Sequence, residues 1–237
     1  NNRLKQFDIT TADHAHGVRD RLTSAAGGKL KVARVNRKQR RRFPAPPFIT
    51  STLQQDASRK LRFTAQRTMR VAQSLYEQGL ISYMRTDSVH LSDDALADLR
   101  AQISEKFGEN FLPGKPKTYK TKSKNAQEAH EAIRPTSAGM TPEHVKAQLT
   151  EDQFRLYEVI WQRTMACQMV PALVDTVQVE FDCASDATFR ANGSVIAFPG
   201  FLMAYEESRP AGKEEKENRL PDMKEGDVVK LEELRAA

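Results

Sequence analysis

Phe43-Pro44-Ala45-Pro46-Pro47 divides this chain more sharply than any other stretch. Proline fixes its own φ and disfavours helix in the residue before it, so the run is a stiff connector that no helix crosses. The character of the sequence changes on either side of it. Thr11 to Ser24 has a helical pattern that stops at Ala25-Ala26-Gly27-Gly28. Leu30, Val32 and Val35 then suggest a strand that dissolves into a basic run ending at Arg42.

Beyond the prolines the period is helical. Ser51 or Thr52 can cap a helix spacing Leu53, Ala57 and Leu61, and Thr64 can cap a second one with Met69, Ala72, Leu75 and Tyr76 on one side. Gly79 stops it, Leu80 to Arg85 reads as extended, and Ser92 to about Phe107 is helical again. Helix, turn, helix and strand outline a winged-helix, CAP-like unit, with Arg59, Lys60, Arg62, Arg67 and Arg70 as a basic flank. A last helix covers Thr150 to Met169, where Phe154, Tyr157, Trp161, Thr164 and Met165 form a core stripe that Pro171 ends.

After Pro171 the alternation has period two. Val177, Val179 and Phe181 make a half-buried strand, and Asn192-Gly193 reads as a hairpin turn between Thr188-Phe189-Arg190 and Val195-Ile196-Ala197-Phe198. Val228, Val229 and Leu231 suggest another strand after Glu225-Gly226-Asp227. The economical reading is α+β: a β-rich domain of residues 1–42 plus 170–237, interrupted by a helical domain of residues 43–169.

The chain has 237 residues, 39% hydrophobic and 29% charged, which suits one or two soluble domains with a real core. No apolar run approaches the ~18 residues of a membrane helix. Asn1-Asn2-Arg3 offers neither a signal region nor an initiator Met, which reads as a cut from a longer protein. Cys167 and Cys183 are read as buried thiols of a reducing cytoplasm. The net charge of +6 suits a polyanionic partner; Lys29 to Arg42 concentrates base without acid, while Glu206 to Glu233 is acid-rich. Gly27-Gly28-Lys29 lacks the spacing of a phosphate-binding loop.

Two constellations carry chemistry. If Tyr83 to Asp87 is extended, Tyr83, Arg85 and Asp87 point to one face. A phenol ionises near pH 10, so as a nucleophile it needs positive charge nearby. Arg85 can supply that charge or clamp a phosphate, and Asp87 can orient Arg85. The second is Gln127-Glu128-Ala129-His130-Glu131-Ala132-Ile133-Arg134-Pro135, one residue short of a His-Glu-x-x-His metal signature because Arg134 holds the second ligand position. As a helix it would put His130 and Arg134 on one face. An ion-paired arginine beside a satisfied histidine is the alternative for this pattern.

Pro46 to Gln54, Ala72 to Ser88 and Gln127 to Pro135 together resemble three successive motifs of the bacterial type IA DNA topoisomerases. Ser82 departs from the threonine many relatives carry. The resemblance implies that Tyr83 attacks a phosphodiester of single-stranded DNA, holding the 5′ phosphate and releasing a 3′ hydroxyl, with no need for ATP. It implies Arg85 and His130 as catalytic partners, with Arg134, Asp87, Arg59 and Arg67 contacting DNA. The helical domain becomes the tyrosine domain and the β-rich flanks the arch. The partners implied are negatively supercoiled or single-stranded DNA and the remaining domains of the enzyme, with no membrane. A monomer in the bacterial nucleoid is expected. No cofactor is expected in this chain; Mg2+ belongs to a Toprim domain that has no counterpart here, so little relaxation is expected from the chain alone. A non-catalytic winged-helix module and a tyrosine recombinase compete, but in a recombinase the tyrosine follows the Arg and His residues.

Overall fold

The computed structural model describes residues 8–119, 130–183, 187–205 and 218–236. Helices and strands are mixed, and the chain divides into two units, Asn1–Arg40 with Val174–Val195 and Glu215–Ala237, and Arg41–Leu173 with Ile196–Glu214. No helix among the described residues is long and apolar enough to cross a membrane.

The first unit opens with α1 (Ala12–Ala26), capped by the Thr11 hydroxyl accepting from the His14 amide. Gly27 ends it in the left-handed region, φ 56°, which an L side chain adopts at a cost. A four-stranded sheet follows, built from β1 (Lys29–Arg42), β2 (Ala172–Cys183), β3 (Ala187–Phe198) and β4 (Val228–Lys230) in the order β3-β2-β1-β4. β1 and β4 are antiparallel, with Leu30 opposite Val229. The alternation of Leu30 with Val32 and of Val179 with Phe181 and Cys183 turns one side of the sheet inward, against Leu22 and Ala26 of α1.

Two strand expectations fail here. β1 does not dissolve in the basic run but continues through it to Arg42. Strand neighbours hold the backbone in that stretch: Thr176 Oγ1 donates to the Lys38 carbonyl and Gln39 Nε2 to Asp175. Asn192-Gly193 is not a turn, because β3 runs straight through it. Gly193 is small for another reason. A Cβ there would lie 2.8 Å from both the Asn218 carbonyl oxygen and Leu220 Cγ, where a crossing segment pairs Ser194 with Asn218. Local turn chemistry lost to a tertiary crossing.

Among its described residues the second unit is built on the α-helices α2 (Thr50–Leu61), α3 (Ala65–Glu77), α4 (Asp93–Phe107), the single turn α5 (Pro142–Val145) and α6 (Glu151–Cys167). α6 is the centre. Thr150 and Gln153 form a reciprocal capping box at its start, and its stripe of Tyr157, Trp161, Thr164 and Met165 is buried. Full burial of each large apolar side chain contributes about 1.5–3 kcal/mol. The polar tips of the aromatics are satisfied: Tyr157 donates to the Met140 carbonyl at 2.6 Å and Trp161 Nε1 to that of Ala138 at 2.9 Å. Burial pushes the Tyr157 phenol well above its ordinary range, so it stays a neutral donor. The N-cap of α2 lies two residues before the earlier of the expected caps: it is Ile49, and the Thr52 hydroxyl accepts from its amide at 3.0 Å. Cys167 and Cys183 are both buried, and burial pushes the Cys167 thiol up to about 12.

Candidate active site

The site grows out of the end of α3. Gly79, φ 71°, closes the helix with its amide on the Tyr76 carbonyl, while the Leu80 amide reaches the Leu75 carbonyl. This paired closure, with Leu75 and Leu80 both buried, fixes the direction in which the chain leaves.

The chain then passes Tyr83 with bends at Ser82, Met84 and Arg85, not as the extended segment expected, and joins no sheet. It is sewn instead to two distant segments. On one side the Thr50 amide donates to the Thr86 carbonyl at 3.0 Å, and the Thr50 hydroxyl donates to the Met84 carbonyl while accepting from the Thr86 amide. On the other, Ile81 bridges Pro135, and the Ser82 amide donates to the Arg134 carbonyl at 2.9 Å. The Ser82 hydroxyl adds two bonds, donating to the Ala132 carbonyl at 2.7 Å and accepting from the Arg134 amide at 2.9 Å. A serine is enough here, since both bonds use only the hydroxyl.

Burial alternates along this stretch. Met84, Thr86 and Ser88 are buried, whereas Tyr83, Arg85 and Asp87 are exposed. Arg85, Asp87 and His130 line one open cavity of about 610 Å³, together with Thr50, Ser51 and Gln54 among others. Tyr83 stands beside it, its ring 5.7 Å from that of His130 and 5.4 Å from that of Tyr76. Among the described residues nothing pairs with the Arg85 guanidinium. The positive end of α2 opens on the same cavity through Thr50 and Ser51. A guanidinium, an imidazole and a helix N-terminus thus line a space large enough for a nucleotide unit, with a phenol ring beside the imidazole. That suits attack on a phosphate whose charge must be neutralised as it becomes five-coordinate.

The segment at 130–135 is not helical, so the condition under which His130 and Arg134 would share a helix face is not met, and Gln127-Glu128-Ala129 lie outside the described residues. The stretch is extended because its amides are claimed from outside: Ala132 donates to the His90 carbonyl and Ile133 to that of Phe48, both at 2.8 Å. Arg134 therefore does not share a helix face with His130. Its fork grips Glu131 through Nε and Nη2, and Nη1 donates to the Pro135 and Thr136 carbonyls. Glu131 also accepts from the Ser92 amide at 2.6 Å, joining this segment to the start of α4. Arg67 is likewise occupied, bidentate to Asp152 at 2.8 Å for each bond. Arg59 is exposed on the last turn of α2 and does not line the cavity.

Burial works to raise the Glu131 carboxyl, but hydrogen bonds from Ser92 and Arg134 outweigh it and hold the group below the usual glutamate range. A depressed folded pKa gives stability that is full above the unfolded value, near ~4.3, and lost as pH falls through the folded one. The melting-temperature gap between wild type and Glu131→Gln is expected to be widest at neutral pH and to shrink below about pH 4. A gap independent of pH would sink this account.

Sequence reasoning missed Ser82, Thr50 and Tyr76 as parts of the site. Tyr76 was placed with the helix core, yet it is 41% exposed and faces Tyr83. No spacing rule connects Thr50 to Thr86 or Ser82 to Arg134; only the tertiary fold does.

A sequence family described as DNA topoisomerase matches the chain over residues 1–237. The chain belongs to the bacterial type IA DNA topoisomerase family. It is 49% identical to DNA topoisomerase 1 of Xylella fastidiosa strain Temecula1 over 244 residues, covering 98% of this chain and 30% of that protein. It is 45% identical to DNA topoisomerase 1 of Rickettsia felis, again over 98% of this chain and 31% of the relative. The full-length topoisomerase I structure from Thermotoga maritima superposes with a TM-score of 0.76 at 32% identity, over 96% of this chain and 36% of that one. The chain thus spans about 30% of the length of these topoisomerase relatives. Among the described residues no three His, Cys, Asp or Glu side chains converge in a group that could hold a metal ion.

Proposed function

We propose that this chain carries the nucleophile half of a topoisomerase active site, with Tyr83 cleaving one DNA strand. The observation that carries the reading is the grouping of exposed Tyr83 with His130 and with Arg85 beside one open cavity. The Tyr83 phenolic oxygen attacks a phosphodiester phosphorus, forming a Tyr–O–P bond as the P–O3′ bond breaks. The phenol gives up its proton and the leaving 3′ oxygen gains one, leaving a 3′ hydroxyl. Arg85 donates two N–H groups to non-bridging oxygens, and a ring N–H of His130 donates to the same or the neighbouring phosphate. One ester replaces another, so reversal needs no ATP and the strand rejoins once a second strand has passed.

In this reading the helical unit is the winged-helix-like tyrosine domain, and the β-rich unit belongs to the arch of the enzyme. The substrate is single-stranded or negatively supercoiled DNA in the bacterial nucleoid. The partners that complete the chemistry are the other domains of a monomeric topoisomerase, which supply the Mg2+. Asp87 lines the same cavity and meets the DNA beside Arg85. Arg134 serves by holding the 130–136 segment through Glu131, and Arg59 and Arg67 contribute to the field along the DNA path.

Strand polarity tests the reading. With the full-length enzyme proposed to contain this chain and Mg2+, an oligonucleotide labelled at its 3′ end is expected to leave its label on a denaturant-resistant protein band. The same oligonucleotide labelled at its 5′ end is expected to release a free shortened fragment. The opposite distribution of label would overturn the 5′-phosphotyrosine assignment.

A further inference from the structure

Two of the exposed large aromatic side chains of the described structure stand together. Tyr76 is 41% exposed and Tyr83 37%, and their rings meet edge to face, with centroids 5.4 Å apart and planes at 68°. Among the described residues neither hydroxyl has a hydrogen-bond partner. The backbone around Tyr83 is firmly sewn, and among the described residues its ring packs against those of Tyr76 and His130.

Tyr76 sits on the last full turn of α3, and its carbonyl accepts the Gly79 amide at 2.8 Å in the helix closure. The base of Tyr76 is therefore fixed to a packed helix whose Val71, Ala72 and Leu75 are buried. Edge-to-face pairing prefers a defined ring orientation, because the positive edge of one ring meets the negative face of the other.

We infer that Tyr76 is a positioning residue for the nucleophile: its ring is the fixed stop that keeps the Tyr83 phenol aimed at the cavity instead of sweeping through solvent. The inference rests on Tyr83 being the nucleophile. Tyr76 contributes through ring orientation, touches no reacting atom, and acts on the probability that Tyr83 is aligned when DNA is already bound.

Single-turnover adduct formation by the full-length enzyme with a labelled oligonucleotide tests this, with Tyr76→Ala, Tyr76→Leu, Tyr76→Phe and Tyr83→Phe in parallel. Tyr76→Ala and Tyr76→Leu are expected to slow adduct formation at saturating oligonucleotide about 3–10-fold, the range an edge-to-face pair can supply. Oligonucleotide affinity should stay within about twofold, since no DNA contact is removed. Tyr76→Phe keeps the ring and should restore the wild-type rate. A wild-type rate in Tyr76→Leu would show that bulk rather than an aromatic ring is at work, and overturn the inference. So would weakened affinity with an unchanged saturating rate, which would make Tyr76 a DNA contact. If Tyr83→Phe still forms adduct, the nucleophile assignment itself fails; if Tyr83→Phe is dead and the Tyr76 variants are normal, only the role of Tyr76 falls.

Discussion

Tyr83→Phe is expected to eliminate covalent adduct formation while leaving DNA binding and the melting temperature nearly unchanged. The substitution removes a single hydroxyl from a ring that is 37% exposed. No hydrogen bond to that hydroxyl is lost among the described residues, so no buried partner is left unsatisfied. The ring contacts to Tyr76 and His130 survive, because both involve ring faces and edges rather than the hydroxyl. What disappears is the only oxygen of that side chain able to bond phosphorus. The effect is therefore all chemistry: a fall to background in adduct, at least about a thousandfold, beside a change of under about 0.5 kcal/mol in stability. Gel-resolved adduct, oligonucleotide titration and thermal melting on the same preparation read the three quantities. Residual adduct in the Phe variant above a small fraction of wild type would mean that another side chain, with Tyr76 the nearest phenol, attacks the DNA.

Gly200→Ala should have the largest effect on folding. Gly200 follows β3 with φ +49°, a conformation that L side chains rarely adopt. A Cβ there would meet the Pro171 carbonyl oxygen at 2.5 Å, its carbon at 2.6 Å and the Val170 carbonyl oxygen at 2.7 Å. These obstacles are backbone atoms, and the backbone is pinned: the Phe201 amide donates to the Val170 carbonyl at 3.0 Å, and the Val170 amide to that of Phe111 at 2.9 Å. Phe201 and Tyr205 just beyond are buried in the helical core, so the turn cannot open without pulling them out. The combined strain is about 3 kcal/mol or more, which for a chain of this size lowers the melting temperature by roughly 6–12 °C. Calorimetry or a circular-dichroism melt checks it. A shift under about 2 °C would mean that the 170–171 backbone yields easily, against the hydrogen bonds described.

How far the sequence foretold this depends on whether the signal is local. Thr64, Ser92 and Thr150 cap α3, α4 and α6 as their residue types demand, because a cap is settled within four residues. The aromatic stripe of α6 was legible from its spacing for the same reason. Basic β1, straight Asn192-Gly193 and extended 130–135 were not legible, since each owes its conformation to a segment remote in the chain. Neighbouring strands hold β1, the 218–220 segment crosses at Gly193, and Phe48 and His90 claim the amides of Ile133 and Ala132. The exposure of Tyr83, Arg85 and Asp87 followed from alternation, but their ties to Thr50 and Arg134 did not. The ion pair of Arg67 with Asp152 was not legible, because packing chooses that partner, whereas an ion-paired Arg134 was one of the two readings its pattern allowed.

The stitching of the Tyr83 stretch also sets an order of birth. On one side its partner Thr50 precedes Thr86 by 36 residues, and on the other Arg134 follows Ser82 by 52. A ribosome making this chain therefore releases the tyrosine well before it has made the segment that completes its seat. Until residues 132–136 emerge, Tyr83 lies on an unfinished segment without His130 beside it. Closing that loop costs little extra with length, so the seat can form soon after the last stitch is available. The proposed nucleophile thus stays unseated on nascent chains until its final fastening has been translated.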